Sequence, residues 1–307
     1  MTNLSKAFRQ KLPEIFDFSL PELVKEWVSE DGTKKYLFDM GESRSVEAVL
    51  IPSRGRLTLC VSTEVGCNMA CKFCFTGKQK LVRRLETWEI VGQFVQVSDS
   101  LPEGSRLTNV VFMGMGEPLD NPEAVFNSIE IWHNPWGYNF SRRKVTVSTS
   151  GLVDQIPLVG ASGVRLAVSL NAVSDRVRNQ VMPINRKWPL KELLEACRQH
   201  SRKTRDKVTL EYVLLKGVTD SLEDARQLYR LTRDVPCKIN IIPFNEHPGS
   251  GFERPEEAIV DAFQNELMDL GVHVLRRKTM GRDIYAACGQ LTTADKNHPL
   301  VDKGLTD

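Results

Sequence analysis

From residue 57 onward, short apolar runs alternate with longer amphipathic runs along the sequence. The apolar runs are typical of buried strands and lie at residues 57–62, 109–113, 144–148, 164–170, 208–215, 238–242 and 273–275. The amphipathic runs are typical of helices and lie at residues 88–97, 122–131, 190–201, 222–232 and 259–270. Repeated strand–helix–strand units predict a parallel sheet with helices outside it. Because the six strands after the first are too few for a closed barrel of eight, we predict an α/β fold with a partial (β/α)6 barrel. Its active site should lie at the carboxyl ends of the strands.

The first 52 residues have a different pattern from the rest of the chain. Residues 1–30 resemble two short amphipathic helices, broken at Pro13 and at residues 19–21. Alternating runs at 34–40 and 46–51 flank a Gly-Glu-Ser turn and predict a β-hairpin. We therefore expect an N-terminal helical region with a hairpin at 1–52, the barrel at 53–295, and a C-terminal tail at 296–307.

Composition narrows the class of protein. The 307 residues are 41% apolar, enough for a large core, and carry a net charge of only +2, which gives no global attraction to nucleic acid. No apolar run at the N-terminus could act as a signal peptide or membrane span, so we expect a cytoplasmic protein without membrane contact. In a reducing compartment the seven cysteines indicate metal ligands or catalysts before disulfides.

Three of these cysteines form a Cys-x3-Cys-x2-Cys cluster at Cys67, Cys71 and Cys74. Their spacing would also suit the buried face of a helix, but Gly66 and Gly77 bracket the segment and polar residues interrupt it. A closed zinc site is a second alternative, although it needs a fourth ligand and no second Cys or His pair follows. Three thiolates suit a 4Fe–4S cluster that leaves its fourth iron open to another ligand.

The cluster spacing resembles the signature of the radical S-adenosylmethionine (radical SAM) superfamily. Gly116 and Glu117, in Gly-Met-Gly-Glu-Pro after the second strand of the barrel, resemble a further motif of that superfamily. The resemblance implies that the methionyl group of SAM binds the open iron and that electron transfer splits SAM into a 5′-deoxyadenosyl radical. Gly116 would allow close backbone approach, and Glu117 would accept a hydrogen bond from the SAM ammonium.

Within the superfamily, residues 2–291 resemble the RlmN/Cfr family of RNA adenine methyltransferases, and the RlmN branch most. The stretches that carry the resemblance are LTLCVSTEVGCNMACKFCFTGKQ, FMGMGEPLDN, RRKVTVSTSG, VMPINRKWPL, PCKINIIPFN and RRKTMGRDIYAACGQL. The family implies methylation of carbon 2 of an adenosine in RNA, either 23S rRNA, tRNA or both. It also implies one 4Fe–4S cluster on Cys67, Cys71 and Cys74, and two SAM molecules per turnover as methyl donor and radical source.

The family assigns catalytic roles to three further residues. Cys288 becomes S-methylated, Cys60 resolves the RNA adduct through a transient disulfide with Cys288, and Glu47 accepts a proton. Taken alone, Cys288 would be a structural thiol, Cys60 an inward-facing strand residue and Glu47 an exposed hairpin acid.

The SAM contacts implied by the family also come from matching motifs. They are Gly116, Glu117, Ser148, Ser169, Leu170, Asn171 and Asn245. Asn171 stands where the family has histidine, which keeps hydrogen bonding but loses titration. Cys197 and Cys237 match no family ligand and are expected to pack in the structure.

RNA binding must rely on local features. Basic clusters lie at residues 78–84, 142–144, 202–207 and 276–278, and Trp132, Trp136 and Tyr138 could stack on an unpaired base or pack in the core. The resemblance also implies an external electron donor such as a flavodoxin or ferredoxin system, and we expect a monomer. The resemblance also implies a longer helical N-terminal domain, and we expect this sequence to begin partway into it.

Two rival functions remain open at this stage. One is a cluster- or zinc-containing RNA-binding module without methyl transfer, and the other is a radical SAM enzyme that acts on a substrate other than RNA.

Overall fold

The computed structural model describes residues 4–292, so residues 293–295 of the expected barrel and the expected tail at 296–307 lie outside the described residues. Within that range the α-helices are α1 (Lys6–Ile15), α2 (Thr87–Asp99), α3 (Pro122–His133), α4 (Ile156–Ser162), α5 (Asp175–Val181), α6 (Leu190–Thr204), α7 (Leu222–Thr232) and α8 (Glu257–Asp269). The strands are β1 (Glu22–Val28), β2 (Lys34–Asp39), β3 (Ser45–Ser53), β4 (Arg56–Cys60), β5 (Glu64–Val65), β6 (Arg83–Arg84), β7 (Asn109–Phe112), β8 (Val145–Thr149), β9 (Arg165–Ser169), β10 (Val208–Leu214), β11 (Cys237–Pro243) and β12 (Val274–Arg276).

One ten-stranded sheet organises the molecule, in the order β1-β2-β3-β4-β7-β8-β9-β10-β11-β12. The pairs β1–β2, β2–β3 and β3–β4 are antiparallel. The pair β4–β7 and each later pair are parallel. The barrel therefore has six β/α units followed by the short strand β12. This arrangement confirms the predicted α/β partial barrel, because each crossover carries at least one helix.

The predicted N-terminal hairpin is confirmed as β2 and β3, which pair from Lys34 with Leu50 to Asp39 with Ser45. The predicted second helix is wrong, since its residues form β1, an edge strand in which Trp27 alone is buried. The first helix runs past Pro13 to Ile15, because Pro13 lies in the last turn and costs only one backbone hydrogen bond there. The short helices α4 and α5 were not predicted.

The loops that follow the parallel strands all lie at the carboxyl end of the sheet, and these loops carry polar residues. The cysteine segment 67–74 follows β4, the Gly114–Gly116 turn follows β7, and Ser150, Asn171 and Asn245 follow β8, β9 and β11. The helices and strands pack against one another around a large apolar core, in which Cys197 is fully buried and Cys237 half-buried. No helix in the described part of the chain is long and apolar enough to cross a bilayer.

Candidate active site

A cavity at the carboxyl ends of the strands gathers most of the predicted site residues. The predicted residues that line it are Cys67, Cys71, Cys74, Gly116, Glu117, Ser148, Ser169, Asn171, Asn245 and Cys288. We call it the upper cavity. A second space, the lower cavity, continues down the barrel and is lined by Cys60 together with Cys74, Asn245 and Cys288. Leu170 is fully buried, and neither Leu170 nor Glu47 lines either cavity.

The cysteine segment is an irregular loop, so the interpretation of these cysteines as the buried face of a helix is wrong. Two glycines make the loop possible. Gly66 has φ +83°, and a Cβ there would lie 2.1 Å from the Lys80 carbonyl oxygen. A Cβ at Gly77 would lie 2.5 Å from the Cys71 carbonyl oxygen. Each position therefore requires a residue without a side chain.

The loop is tied to the rest of the barrel by backbone hydrogen bonds. Lys72 N donates to Val181 O at 2.9 Å, and Phe75 N donates to Gly289 O at 2.7 Å. The second bond joins the cysteine loop to the residue after Cys288. The cysteine loop and the Cys288 segment are therefore held against one another.

The three thiols fit an iron–sulfur cluster better than a single ion. No group of three or more His, Cys, Asp or Glu side chains in residues 4–292 is arranged to hold one metal ion, so the three cysteines do not surround a single-ion site there. Three separate thiols around one cavity suit a cube in which each of three irons takes one sulfur. Burial raises the pKa of the Cys71 thiol to about 12, with a further contribution from Cys74, so the thiols favour the protonated form unless iron binds them.

Glu117 is a buried carboxylate at the end of β7. Its Oε2 accepts from Ser150 N at 2.7 Å and its Oε1 from Leu119 N at 3.2 Å. Burial raises the pKa of Glu117, and these backbone bonds oppose the rise. The preceding residue, Gly116, has φ +98°, and a Cβ there would lie 2.6 Å from Glu64 Cβ. The turn therefore needs glycine for the close approach that the sequence predicted.

Sequence reasoning missed Glu64, which lies beside this turn. Its Oε2 accepts from Glu117 N at 2.9 Å, and burial raises the pKa of Glu64 to about 8. Glu64 could not be found from the sequence, because a single acidic residue in Ser-Thr-Glu-Val matches no motif.

Arg178 is a second missed residue, on α5. Its buried guanidinium donates to the carbonyl oxygens of Ser150 at 2.7 Å, Ser169 at 3.0 Å and Leu170 at 2.9 Å. These carbonyls lie where β8 and β9 end, so Arg178 fixes the two adjacent strand ends that line the upper cavity.

Asn171 and Asn245 have different surroundings. Asn171 has φ +55°. Its side-chain Oδ1 accepts from Val213 N at 2.9 Å, and its Nδ2 donates to Met182 Sδ at 3.3 Å. Its side chain is therefore structural in this chain. Asn245 Nδ2 donates to Cys288 O at 3.2 Å, which ties the end of β11 to the Cys288 segment.

Cys288 and Cys60 are free thiols that face the lower cavity, and Cys288 also lines the upper cavity. Burial raises the pKa of Cys60 to about 12, and the neighbouring Cys288 thiol raises it further. Burial also raises the pKa of Cys288, while the Arg277 guanidinium opposes this. Cys288 therefore lies at the junction between the two spaces, as does Cys74 of the cysteine loop.

Glu47 is buried rather than exposed, so its interpretation as a solvent-facing hairpin acid is wrong. Its Oε1 lies 2.9 Å from Lys35 Nζ, and its Oε2 accepts from Thr292 N at 3.0 Å. Burial raises the pKa of Glu47, and Lys35 opposes the rise. The carboxylate thus joins the N-terminal hairpin to the segment that carries Cys288.

The aromatic cluster lies away from this site. Trp132 is fully buried and packs with Phe94 and Phe112, and Tyr138 packs edge-on against Phe94. These contacts confirm core packing rather than base stacking for Trp132, whereas Tyr138 remains 43% exposed. Trp136 is 92% exposed, and its loop leads into the amino end of β8.

The basic clusters lie at different ends of the strands. Residues 142–144 and 202–207 come just before the amino ends of β8 and β10, whereas residues 78–84 lie in the loop after β4. The last cluster, 276–278, lines the lower cavity together with Arg56.

Comparison with known proteins identifies the class. The sequence profile of the Radical SAM superfamily matches residues 61–230. A radical SAM methyltransferase from Sphaerobacter thermophilus superposes with a TM-score of 0.90 and 41% identity, covering 95% of this chain and 87% of that one. The fold and the three-cysteine cavity are therefore those of a radical SAM enzyme.

Two curated relatives narrow the class further. The dual-specificity RNA methyltransferase RlmN of Bdellovibrio bacteriovorus is 65% identical over 98% of this chain and 76% of its own length. The RlmN of Geobacter sulfurreducens is 49% identical over 95% of this chain and 80% of its own length. The chain belongs to the RlmN family of radical SAM RNA methyltransferases. Its cofactors are accordingly a 4Fe–4S cluster and SAM.

Proposed function

We propose that this protein methylates carbon 2 of an adenosine in RNA, 23S rRNA and/or tRNA, through an S-methylcysteine at Cys288. The observation that carries the proposal is the position of Cys288, which lines both the cavity of the three cysteines and the cavity of Cys60. One thiol can therefore meet SAM on one side and a substrate base on the other. The two relatives are dual-specificity RNA methyltransferases, which supports RNA as the substrate.

The cofactors are assigned to the upper cavity. Cys67, Cys71 and Cys74 would hold the cluster, and Glu117 would accept from the SAM ammonium. The other SAM contacts come from Gly116, Ser148, Ser169, Leu170, Asn171 and Asn245. Leu170 and Asn171 would act through their backbone, because the Leu170 side chain is buried and the Asn171 amide is already bonded. When bound, the cluster and two SAM molecules per turnover supply a methyl group and a 5′-deoxyadenosyl radical.

The two thiols then act in order. Cys288 would take the methyl group of one SAM on its sulfur and give one hydrogen atom of that group to the 5′-deoxyadenosyl radical. The remaining carbon would bond to carbon 2 of adenine, the unpaired electron of this adduct would return to the oxidised cluster, and Glu47 would remove the proton from carbon 2. The Cys60 thiolate attacks the Cys288 sulfur, so a Cys60–Cys288 disulfide forms as the bond between that sulfur and the carbon breaks. The carbon keeps the bonding electrons and takes a proton, which completes the methyl group. Reduction of the disulfide by an external thiol restores both cysteines.

Glu47 is assigned as the group that removes the proton from carbon 2 of the adduct. Its carboxylate lies behind the Cys288 segment, bonded to Thr292 N, and Lys35 favours its ionised form. Movement of residues 288–292 would release Oε2 from Thr292 and turn the carboxylate toward the base. Glu47 is thus coupled to the segment that carries the reacting sulfur.

RNA is assigned to the mouth of the lower cavity, where Arg56 and Lys278 could contact phosphates beside an unstacked adenine. A reduced flavodoxin or ferredoxin would supply the electron for SAM cleavage. We further infer that the enzyme works as a monomer in the cytoplasm, where thiols stay reduced.

The test begins with anaerobic reconstitution of the purified protein with iron and sulfide. Incubation with SAM, a reductant and unmethylated 23S rRNA or tRNA should give 5′-deoxyadenosine and 2-methyladenosine, both measured by mass spectrometry. A Cys71→Ala variant should bind less iron and give neither product. Bound zinc with no cleavage of SAM would support the RNA-binding module instead. Cleavage of SAM with no methylated nucleotide would indicate a substrate other than RNA, and 8-methyladenosine would overturn the assignment of carbon 2.

A further inference from the structure

Glu211 and Arg277 lie at the junction of the two cavities, and the sequence assigned no role to either. Glu211, on β10, lines both cavities, and it is the one titratable residue besides cysteine that the two linings share. Arg277 follows β12 and lines the lower cavity beside Cys60 and Cys288. Both charged groups therefore face the space in which the two thiols must meet the substrate base.

The pair is only loosely joined. Arg277 Nη1 lies 3.7 Å from Glu211 Oε1 and 3.8 Å from Met113 Sδ. Glu211 Oε1 also accepts from Asn240 Nδ2 at 3.4 Å. Within residues 4–292, Glu211 Oε2 and most of the five guanidinium N–H donors have no hydrogen-bond partner. An acceptor and several donors are therefore available to a ligand.

Burial of the charged Glu211–Arg277 pair is unfavourable unless a ligand supplies the missing hydrogen bonds. The Glu211 side chain is 9% exposed and that of Arg277 24% exposed. Charged groups with so little contact with water need partners, and a site built around such groups rejects a ligand that fails to supply them. The available oxygen and N–H groups thus indicate a ligand with one donor and one acceptor on the same edge.

Adenine has this pattern on its Watson–Crick edge. Its 6-amino group donates, the adjacent N1 accepts, and carbon 2 follows N1. A base extruded from its stack is read through this edge. If Glu211 accepts from the 6-amino group and Arg277 donates to N1, carbon 2 lies on the Arg277 side, next to Cys288.

We propose that Glu211 and Arg277 form the pair that reads the target adenine and aims its carbon 2 at Cys288. This assignment rests on the proposed function and adds its base specificity. Guanine and uracil place a carbonyl where adenine has the 6-amino group, which would oppose the Glu211 carboxylate. Cytosine offers the same donor and acceptor, but its carbon 2 carries a carbonyl oxygen and has no hydrogen to replace. The pair thus accounts for selection of adenine by charge as well as by shape.

A double-mutant cycle between protein and RNA tests the assignment. The reconstituted holoenzyme is given a synthetic RNA stem-loop with either adenosine or purine ribonucleoside, which lacks the 6-amino group, at the methylated position. The wild type should prefer adenosine by about 10- to 100-fold in kcat/KM. In Glu211→Ala the preference should fall close to one, because the partner of the amino group is gone.

Two further variants keep the result interpretable. Glu211→Met keeps a similar side-chain volume without an acceptor oxygen, and it should bring the preference close to one even if Glu211→Ala folds poorly. Thr209→Val is the matched control, since Thr209 lines the lower cavity two residues earlier on the same strand and should keep the wild-type preference. A parallel cycle pairs Arg277→Gln with 1-deazaadenosine, which lacks the N1 acceptor.

An unchanged preference in folded Glu211→Met would overturn the assignment and would give Glu211 a role toward SAM or in packing. Failure of the wild type to methylate either RNA would instead contradict the proposed function itself. The two failures are therefore distinguishable.

Discussion

Lys35 Nζ lies 2.9 Å from Glu47 Oε1, and the side chains of both residues are at least 95% buried. Lys35 also lies over the ring of Trp27, 4.6 Å from its centroid. The lysine therefore lowers the pKa of a carboxyl that burial raises. If Glu47 must be ionised to accept a proton, its basicity at neutral pH depends on Lys35.

Replacing Lys35 with methionine should move the acidic limb of RNA methylation to higher pH. Loss of the positive charge leaves burial unopposed, so the pKa of Glu47 rises and its ionised fraction at neutral pH falls. We expect a shift of about one pH unit or more, with activity recovering as pH increases. Single-turnover rates across pH measure it.

Lys34→Met is the control for this variant, because Lys34 pairs with Glu26 on the exposed side of the hairpin. Breaking the buried Lys35 pair should cost about 3 to 5 kcal/mol of unfolding free energy, whereas the Lys34 pair should contribute about 0 to 1 kcal/mol. Identical pH profiles in the two variants would contradict a role for Lys35 in holding Glu47.

Replacing Cys60 with alanine should trap the enzyme on its RNA. Without the resolving thiol, the bond between Cys288 and adenine has no nucleophile to break it, so a covalent protein–RNA adduct accumulates. A denaturing gel with labelled RNA measures the adduct. Cys237→Ala, which removes a half-buried thiol outside both cavities, should turn over normally without an adduct. Multiple turnover by Cys60→Ala would rule out the disulfide step.

Replacing Gly116 with alanine should weaken SAM binding. The new Cβ would lie 2.6 Å from Glu64 Cβ, so the turn that carries Glu117 must shift. We expect Kd for SAM to rise by at least about tenfold, which corresponds to one lost hydrogen bond to a charged group. Equilibrium dialysis measures it.

Gly55→Ala is the matched control for Gly116→Ala. Gly55 also has a positive φ, +75°, but no atom lies within 4 Å of its added Cβ. The Gly55→Ala variant therefore has the backbone strain of Gly116→Ala without the steric clash, and it should bind SAM as the wild type does. Equal effects of the two substitutions would contradict a specific requirement for glycine at Gly116.

RNA affinity should depend on Lys278 and not on Trp136. Lys278 lines the lower cavity, whereas the exposed Trp136 lines neither cavity. Lys278→Ala should weaken RNA binding and reduce the slope of log Kd against log salt by about 1. Trp136→Ala should leave both unchanged. Fluorescence anisotropy at several salt concentrations measures them, and the reverse pattern would move the RNA site to the loop of Trp136.

Local patterns were enough to predict the framework of the fold and to single out the three-cysteine loop. Strands and helices of the barrel have strong periodicity, and Cys67, Cys71 and Cys74 lie in a short distinctive motif. The role of Cys288 follows from the family resemblance and stays a prediction. Residues 22–28 were assigned to a helix instead of a strand, because an edge strand buries so few side chains that its alternation is weak. Pairing with β2 decides its structure, and that pairing is tertiary.

The charged partners around the site were beyond the reach of local patterns. Lys35 and Glu47 are neighbours across β2 and β3, while Glu211 and Arg277 come from β10 and the end of β12. Each looks like an ordinary surface charge in the sequence. Only the closing of the sheet into a partial barrel brings these charges into a buried space.

The transfer of a methyl group through Cys288 is tested most directly with SAM that carries a deuterated methyl group. Mass spectrometry should find deuterated S-methylcysteine in the Cys288 peptide before RNA is added. After turnover, carbon 2 of adenosine should carry a methyl group with all but one of its deuterium atoms retained, because one is removed while the carbon is on Cys288. Cys288→Ala should give no methylated RNA. A fully deuterated methyl group in the product, or methylation by Cys288→Ala, would contradict the account.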